Sequence, residues 1–151
     1  MKHLWLLVTV VFTLLIFYNS SLDMSTSGKI SSFVAGFFAW IESFLPIELG
    51  LELPNEHEIR KLAHFMEFGL LGWLLCQTFG AYRVSNRTAN GYILFIGLLV
   101  AVTDEYIQLG SAGRNGHVLD VLLDFSGVFT MWLAYRMWLC LFYVFVLMSL
   151  V

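Results

Sequence analysis

Four long apolar stretches alternate with polar connections along this chain of 151 residues, at 4–18, 62–82, 90–109 and 117–136. A helix that crosses a hydrocarbon core of about 30 Å needs about 20 mostly apolar residues. The pattern therefore predicts about four transmembrane helices. The first stretch, preceded by Lys2, is also similar to a secretory signal peptide. No small-x-small cleavage pattern follows it, so we interpret it as a retained helix.

The connection at residues 19–58 has a helical pattern of its own. Its apolar residues step by three and four, and they are Ile30, Phe33, Val34, Phe37, Phe38, Ile41, Phe44 and Leu45. Polar residues occupy the opposite side, and Pro46 ends the pattern. We expect an amphipathic helix that lies in the membrane interface or covers the bundle, and the sequence leaves both open. An acidic loop at 48–58 follows it.

The last fifteen residues form an apolar tail, 137–151, that carries no charge. One helix from His117 to the last residue would be about 50 Å long at 1.5 Å per residue. That length exceeds a hydrocarbon core of about 30 Å. The tail must therefore bend, lie along the interface or form a short fifth membrane segment, and the three alternatives remain open.

Composition supports the same fold class. Hydrophobic residues make up 59% of the chain and charged residues 13%, whereas soluble domains carry about 25% charged residues. We expect one domain, 1–151, folded as an all-α polytopic transmembrane helix bundle with membrane lipids as its surroundings. The net charge of −3 argues against nucleic acid as a partner.

The two cysteines, Cys76 and Cys140, each stand alone in an apolar run. Without a C-x-x-C or Cys/His pattern, neither a zinc knuckle nor a disulfide framework is expected. We expect both to be buried structural thiols.

Basic residues near the ends of the spans predict the orientation. If the chain crosses four times, one side holds Lys2, Arg83, Arg87 and Arg136. The positive-inside rule makes that side cytoplasmic and places the N-terminus inside. Arg60 and Lys61 then lie on the outer side, where a role in a site explains them better than topology does.

Ionisable residues cluster at the predicted outer ends of three spans. Arg60, His64 and Glu67 share one helical face of the second span, at i, i+4 and i+7. The third span ends with Asp104, Glu105 and Gln108, and the fourth opens with Asp120 and Asp124. At 1.5 Å per residue, Glu67, Asp104 and Asp124 each lie about 8 to 10 Å inside their spans. We expect these side chains to form one layer, and ionisable groups inside a membrane point to function.

Two kinds of ligand fit this set of side chains. His64 and Glu67 resemble half of a helical metal pair, and Asp104, Asp120 and Asp124 add oxygen ligands. The pair Gly113-Arg114 offers a guanidinium and backbone amides to a phosphate or carboxylate, or is an ordinary tight turn.

A purely structural role is the alternative for the whole cluster. Arg60, Lys61 and Arg114 would then neutralise the carboxylates and lock the helices together. Adjacent carboxylates repel each other, however, and Asn or Ser would join helices in lipid at lower cost.

These motifs resemble the VanZ-like family of bacterial membrane proteins. The resemblance lies in the ordered set 60–68 (RKLAHFMEF), 104–108 (DEYIQ), Gly113-Arg114 and 120–127 (DVLLDFSG), within residues 59–134. The chain departs from the family pattern before Gly113, where an aromatic residue and a proline are usual, and at Phe68, where Tyr is usual. The resemblance implies a multi-pass envelope protein with four core spans. It also implies a link to low-level resistance to glycopeptide antibiotics, teicoplanin above all.

Our first hypothesis is an outward-facing site that binds an anionic lipid or wall-precursor headgroup. Arg60, Lys61 and Arg114 would hold the phosphate or carboxylate. The ligand or its counter-ion would be oriented by His64, Glu67, Asp104, Glu105, Gln108, Asp120 and Asp124.

The second hypothesis is a membrane enzyme that acts on a lipid-linked phosphate. It uses a divalent cation as cofactor and His64 or Glu67 as general base. An ion-coupled carrier is disfavoured, because the inner halves of the spans carry no charged residue for a path.

Overall fold

The computed structural model describes residues 1–22, 56–111 and 117–149. These residues form four α-helices and no strand: α1 (Lys2–Ser21), α2 (Glu56–Ala81), α3 (Asn86–Leu109) and α4 (Val118–Ser149). The all-α class is confirmed for this part of the chain. The predicted amphipathic helix, most of the acidic loop and the pair Gly113-Arg114 lie outside the described residues.

Three of these helices are long and apolar enough to cross a membrane: α1, α3 and residues Val118–Val146 of α4. The helix α2 is as long, with 26 residues, but polar side chains such as His64, Glu67 and Gln77 interrupt it. It occupies the centre of the bundle and packs against α1, α3 and α4. The other helices therefore partly shield His64, Glu67 and Gln77, which are half-buried.

The hydrophobic core is built from all four helices around α2. Phe68 and Leu71 of α2 are fully buried, and so are Ile16 of α1, Ile93 of α3 and Val128 of α4. Within a bilayer such burial adds little hydrophobic driving force, and close van der Waals packing holds the helices together instead.

Glycine allows α2 and α4 to touch through their backbones. A Cβ atom on Gly127 would clash with the carbonyl oxygen of Phe65 and lie 3.0 Å from the amide nitrogen of Gly69. A Cβ atom on Gly72 would lie 2.8 Å from the carbonyl oxygen of Val128. Small residues at such crossings are typical of membrane helix pairs.

The basic residues of α1 and α4 lie at one end of the bundle. The ammonium group of Lys2 lies 5.6 Å from the centre of the Tyr82 ring. Arg136 donates a 2.9 Å hydrogen bond to the side-chain oxygen of Asn86. Lys2 and Arg136 therefore share an end with the α2–α3 link, as their positions in the sequence predicted, and we call it the basic end.

A tight turn makes α2 and α3 antiparallel at the basic end. Arg83 has a positive φ of 55°, and the amide of Val84 donates to the carbonyl of Phe79 at 3.2 Å. This is the left-handed conformation that commonly ends a helix. Ser85 then caps α3 by accepting a hydrogen bond from the amide of Thr88.

Residues 137–149 of the apolar tail belong to α4, so this part of the tail is not a separate fifth segment. With 32 residues, α4 is about 48 Å long at 1.5 Å per residue. Cys76 is buried, as expected, but Cys140 is exposed, so the prediction of two buried thiols is wrong for Cys140. The reason is that the other three helices end near Arg136, and no described helix packs over the end of α4.

Candidate functional site

Three helices bring a histidine and two aspartates together at the end of the bundle opposite the basic end. Asp104 is fully buried, and Asp124 is 2% exposed. The Nδ1 atom of His64 lies 4.0 Å from Oδ1 of Asp124. One potential ligand atom from each of the three side chains lies within 4.8 Å of the other two. The structure thus places on one level residues that the sequence predicted to share a layer.

Hydrogen bonds hold both carboxylate oxygens of Asp104. Ser20 of α1 donates to Oδ1, and Gln108 donates to Oδ2 at 2.7 Å from one turn further along α3. The hydroxyl of Ser111 donates to the backbone carbonyl of Ser20 at 3.0 Å. These contacts fix the carboxylate and join the ends of α1 and α3.

Glu105 lies beside Asp104 with its side chain turned toward the start of α4. It is 6% exposed, and its Oε1 accepts a hydrogen bond from the backbone amide of His117, the residue before α4. Its Oε2 is buried and makes no hydrogen bond to any residue that the structure describes. The positive end of the α4 dipole stabilises a carboxylate in this place.

The remaining predicted acids lie around this group. Glu67 accepts a 3.2 Å hydrogen bond from the side chain of Asn19 and interacts electrostatically with Asp104. Asp120 is half-buried and interacts electrostatically with Glu105 and Asp124. We call the set of Ser20, His64, Glu67, Asp104, Glu105, Gln108, Asp120 and Asp124 the polar layer.

The predicted basic residues are placed less centrally. Arg60 is half-buried one turn before His64 on α2, and Lys61 is exposed. None of the described contacts joins Lys61 to the polar layer. Arg114 lies outside the described residues. The described polar layer is therefore dominated by carboxylates.

The sequence model of the VanZ/LLP1 family matches residues 4–143 of this chain. The chain belongs to the VanZ/LLP1 family. The match is wider than the motif range 59–134, since it includes most of α1 and the start of the tail. Comparison with curated proteins and with solved structures gives no match.

Two polar residues of α1 that sequence reasoning did not select also contact carboxylates of the polar layer. Ser20 is 1% exposed and contacts Asp104, while Asn19 contacts Glu67. Both directly follow the first apolar stretch, at the same end of the bundle as the predicted polar residues of the other spans. Their position at that end was the signal that could have identified them.

The charges of the polar layer determine what it can do. Glu67, Asp104, Glu105, Asp120 and Asp124 supply five carboxyl groups. Carboxylates taken out of water are costly unless they are paired with cations or hydrogen-bond donors. The layer of this VanZ/LLP1 protein is thus suited to a bound cation, or to an anionic ligand that brings a cation with it.

Proposed function

We propose that this VanZ/LLP1 protein is a four-span protein of the bacterial cytoplasmic membrane that binds the anionic headgroup of a lipid or lipid-linked wall precursor. The polar layer supports this proposal most directly, because side chains of all four helices meet there around buried carboxylates. Ionisable residues grouped in this way inside a membrane protein usually belong to a ligand or ion site.

The proposed orientation places the N-terminus inside and the polar layer toward the outer surface. Lys2 and Arg136 lie at the basic end, and membrane proteins favour Lys and Arg on the cytoplasmic side. We count α2 as the fourth span because it runs antiparallel to α3 and packs against the three more apolar helices.

In this proposal the basic residues contact the headgroup and the acids arrange it. Arg60 lies one turn from His64, and a guanidinium binds phosphate or carboxylate through two hydrogen bonds at once. Lys61 is exposed and would add a positive charge near the headgroup plane. Arg114 completes the set on the basis of the sequence alone.

Lipid selection in nanodiscs tests the proposal. Protein is reconstituted with phosphatidylcholine, phosphatidylglycerol and a polyprenyl pyrophosphate, and retained lipids are identified by native mass spectrometry. We expect the wild type to retain an anionic species, and Arg60→Ala/Arg114→Ala to retain about tenfold less or lower. Retention of phosphatidylglycerol or of the pyrophosphate distinguishes a bulk lipid from a wall-precursor ligand.

Arg87→Ala is the matched control, because Arg87 is an exposed basic residue in the first turn of α3, at the basic end. It should retain as much anionic lipid as the wild type. Equal retention by the wild type and the double variant would reject the proposed headgroup site.

A contribution to teicoplanin resistance would follow from the same binding. Glycopeptides act outside the cell on lipid-linked wall precursors, and a protein that binds such headgroups alters their exposure. Expression in a susceptible bacterium should raise the inhibitory concentration of teicoplanin modestly, and Arg60→Ala/Arg114→Ala should abolish the rise. If expression of the wild type leaves the inhibitory concentration unchanged, the proposed role in teicoplanin resistance is wrong.

A metal-dependent enzyme that hydrolyses a lipid-linked phosphate is the second candidate, and the convergence of His64, Asp104 and Asp124 favours it. Water would attack phosphorus while Glu67 accepts its proton, and the P–O bond to the polyprenyl phosphate leaving group would break. Release of phosphate from polyprenyl pyrophosphate should then need a divalent cation and be lost in Glu67→Gln. Binding without any turnover would exclude this activity.

A further inference from the structure

We infer that His64, Asp104 and Asp124 form a binding site for one divalent transition-metal ion, Zn²⁺ or Mn²⁺, where α2, α3 and α4 meet. Each helix contributes one ligand residue, and the three potential ligand atoms lie within 4.8 Å of one another. Three separate helices would not converge on a histidine and two buried aspartates for packing alone, because the two carboxylates repel each other.

The distances require only a small contraction around an ion. Zinc lies about 2.0 to 2.2 Å from nitrogen and oxygen ligands, which places neighbouring tetrahedral ligands about 3.4 Å apart. His64 and Asp124 are 4.0 Å apart. A movement of about 1 Å by these side chains would close the site, and side-chain rotation supplies it without a shift of the helices.

A second, independent feature points to a cation. Glu105 is 6% exposed, and its Oε2 makes no hydrogen bond within the described residues. The same carboxyl group interacts electrostatically with Asp104 and Asp124. A buried carboxylate oxygen without a partner is costly, and a cation held by Asp104 and Asp124 would compensate it, with Glu105 as a nearby negative charge.

The surroundings of Asp104 are those of a metal ligand. Ser20 and Gln108 each donate to one of its two oxygens, which fixes the orientation of the carboxylate. Hydrogen bonds of this type orient ligands in most metal sites.

The ligand types narrow the choice of metal. Ca²⁺ and Mg²⁺ prefer oxygen ligands throughout, whereas an imidazole combined with carboxylates suits Zn²⁺ and Mn²⁺. The site is thus expected to take a first-row transition metal in preference to Ca²⁺.

The inference also explains how a layer rich in carboxylates accepts an anion, and in this respect it rests on the proposed function. A bound dication would present positive charge to a phosphate headgroup held by Arg60. The ion site itself stands on its own geometry, so each can fail without the other.

Metal titration of purified protein tests the inference. Protein in detergent is stripped with a chelator and dialysed against ZnCl₂, MnCl₂ or CaCl₂, and bound metal is measured by elemental analysis. We expect about one equivalent of Zn²⁺ or Mn²⁺ in the wild type and at least about 100-fold weaker binding in Asp104→Asn/Asp124→Asn. Glu58→Gln is the matched control, because Glu58 is an exposed carboxylate of α2 outside the polar layer, and it should bind within about threefold of the wild type.

A second, less disruptive variant distinguishes loss of metal binding from loss of folding. Ser20→Ala removes one hydrogen bond to Asp104 and should weaken binding about tenfold, while circular dichroism confirms its helix content. Absence of bound Zn²⁺ and Mn²⁺ from the wild type, or equal binding by the double variant, would overturn the inference. Anionic lipid retained by stripped protein without metal binding would leave the proposed function standing and refute the ion site. Metal binding without lipid retention would support the ion site and refute the proposed headgroup site.

Discussion

The Nδ1 atom of His64 lies 4.0 Å from Oδ1 of Asp124, across the crossing of α2 and α4. One turn further along α4, the backbone of Gly127 touches the backbone of α2 at Phe65 and Gly69. The same crossing therefore packs the bundle and sets the distance between the two polar side chains. A change in helix separation at Gly127 must change the site as well.

Gly127→Ala should separate α2 from α4. The added methyl group would meet backbone atoms, which cannot rotate away, and overpacking of this kind costs about 1 to 3 kcal/mol. We expect a lower midpoint of thermal unfolding in detergent, measured by circular dichroism, and weaker metal binding. Gly91→Ala is the control, because nothing lies within 4 Å of the position that its Cβ would take. Equal midpoints for the two variants would argue against the close crossing.

Thr9→Val should weaken the docking of α1 on α2. The Oγ1 atoms of Thr9 and Thr78 are 2.8 Å apart and buried. Hydrogen bonds between membrane helices contribute about 0.6 kcal/mol on average, so we expect a loss of that order. A double-mutant cycle with Thr78→Val measures the coupling, and a coupling of zero would show that the pair does not join the helices. Metal binding should stay unchanged in both variants.

Glu105→Gln tests whether the negative charge of Glu105 supports metal binding or whether the residue has only a structural role. Its amide oxygen keeps the hydrogen bond from the backbone amide of His117, while one negative charge leaves the polar layer. In the stripped protein we expect equal or higher thermal stability, since carboxylate repulsion falls. Affinity for Zn²⁺, measured by equilibrium dialysis, should drop about tenfold. A less stable variant with unchanged affinity would favour a structural role for Glu105.

Metal binding should weaken as the pH falls. Imidazole and carboxylate ligands bind metal only when deprotonated, so binding releases protons and acid opposes it. Between about pH 8 and about pH 5.5 we expect the affinity for Zn²⁺ to decrease steadily. Isothermal titration in two buffers of different ionisation heat measures the released protons. Affinity that is constant or that rises in acid would contradict ligation by His64.

The orientation can be tested by thiol labelling in intact cells. In a Cys76→Ala/Cys140→Ala background, His117→Cys lies at the end of the bundle with the polar layer, and Arg87→Cys lies at the basic end. Both positions are exposed. A membrane-impermeant maleimide should label His117→Cys from outside, and Arg87→Cys only after lysis. The opposite pattern would place the polar layer inside.

Much of the fold could be predicted from the sequence because lipid constrains it strongly. Each long apolar run had to become a helix, and counting residues from the span ends placed Glu67, Asp104 and Asp124 at one depth. The helices α2 and α3 begin several residues before their apolar runs, at Glu56 and Asn86, since polar residues such as Arg60 extend a helix without disturbing the backbone pattern.

Other features depend on how the helices pack, which composition does not encode. The contact of Ser20 with Asp104 follows from the placement of α1 beside α3. The backbone contact at Gly127 follows from the rotation of α4, which a glycine alone does not reveal. Cys140 was predicted to be buried because its neighbours are apolar, yet it lies on a part of α4 that no described helix covers.

The most informative experiment distinguishes a polar layer that binds a ligand from one that only joins helices. We would measure the thermal midpoint of the wild type and of Asp104→Asn/Asp124→Asn, each stripped and then saturated with ZnCl₂. A ligand at 100 times its dissociation constant stabilises a protein by about 2.7 kcal/mol. We expect Zn²⁺ to raise the midpoint of the wild type alone, and we expect the stripped variant to be at least as stable as the stripped wild type. A less stable variant, together with a wild-type midpoint that does not change with Zn²⁺ or Mn²⁺, would contradict a ligand-binding role for the polar layer.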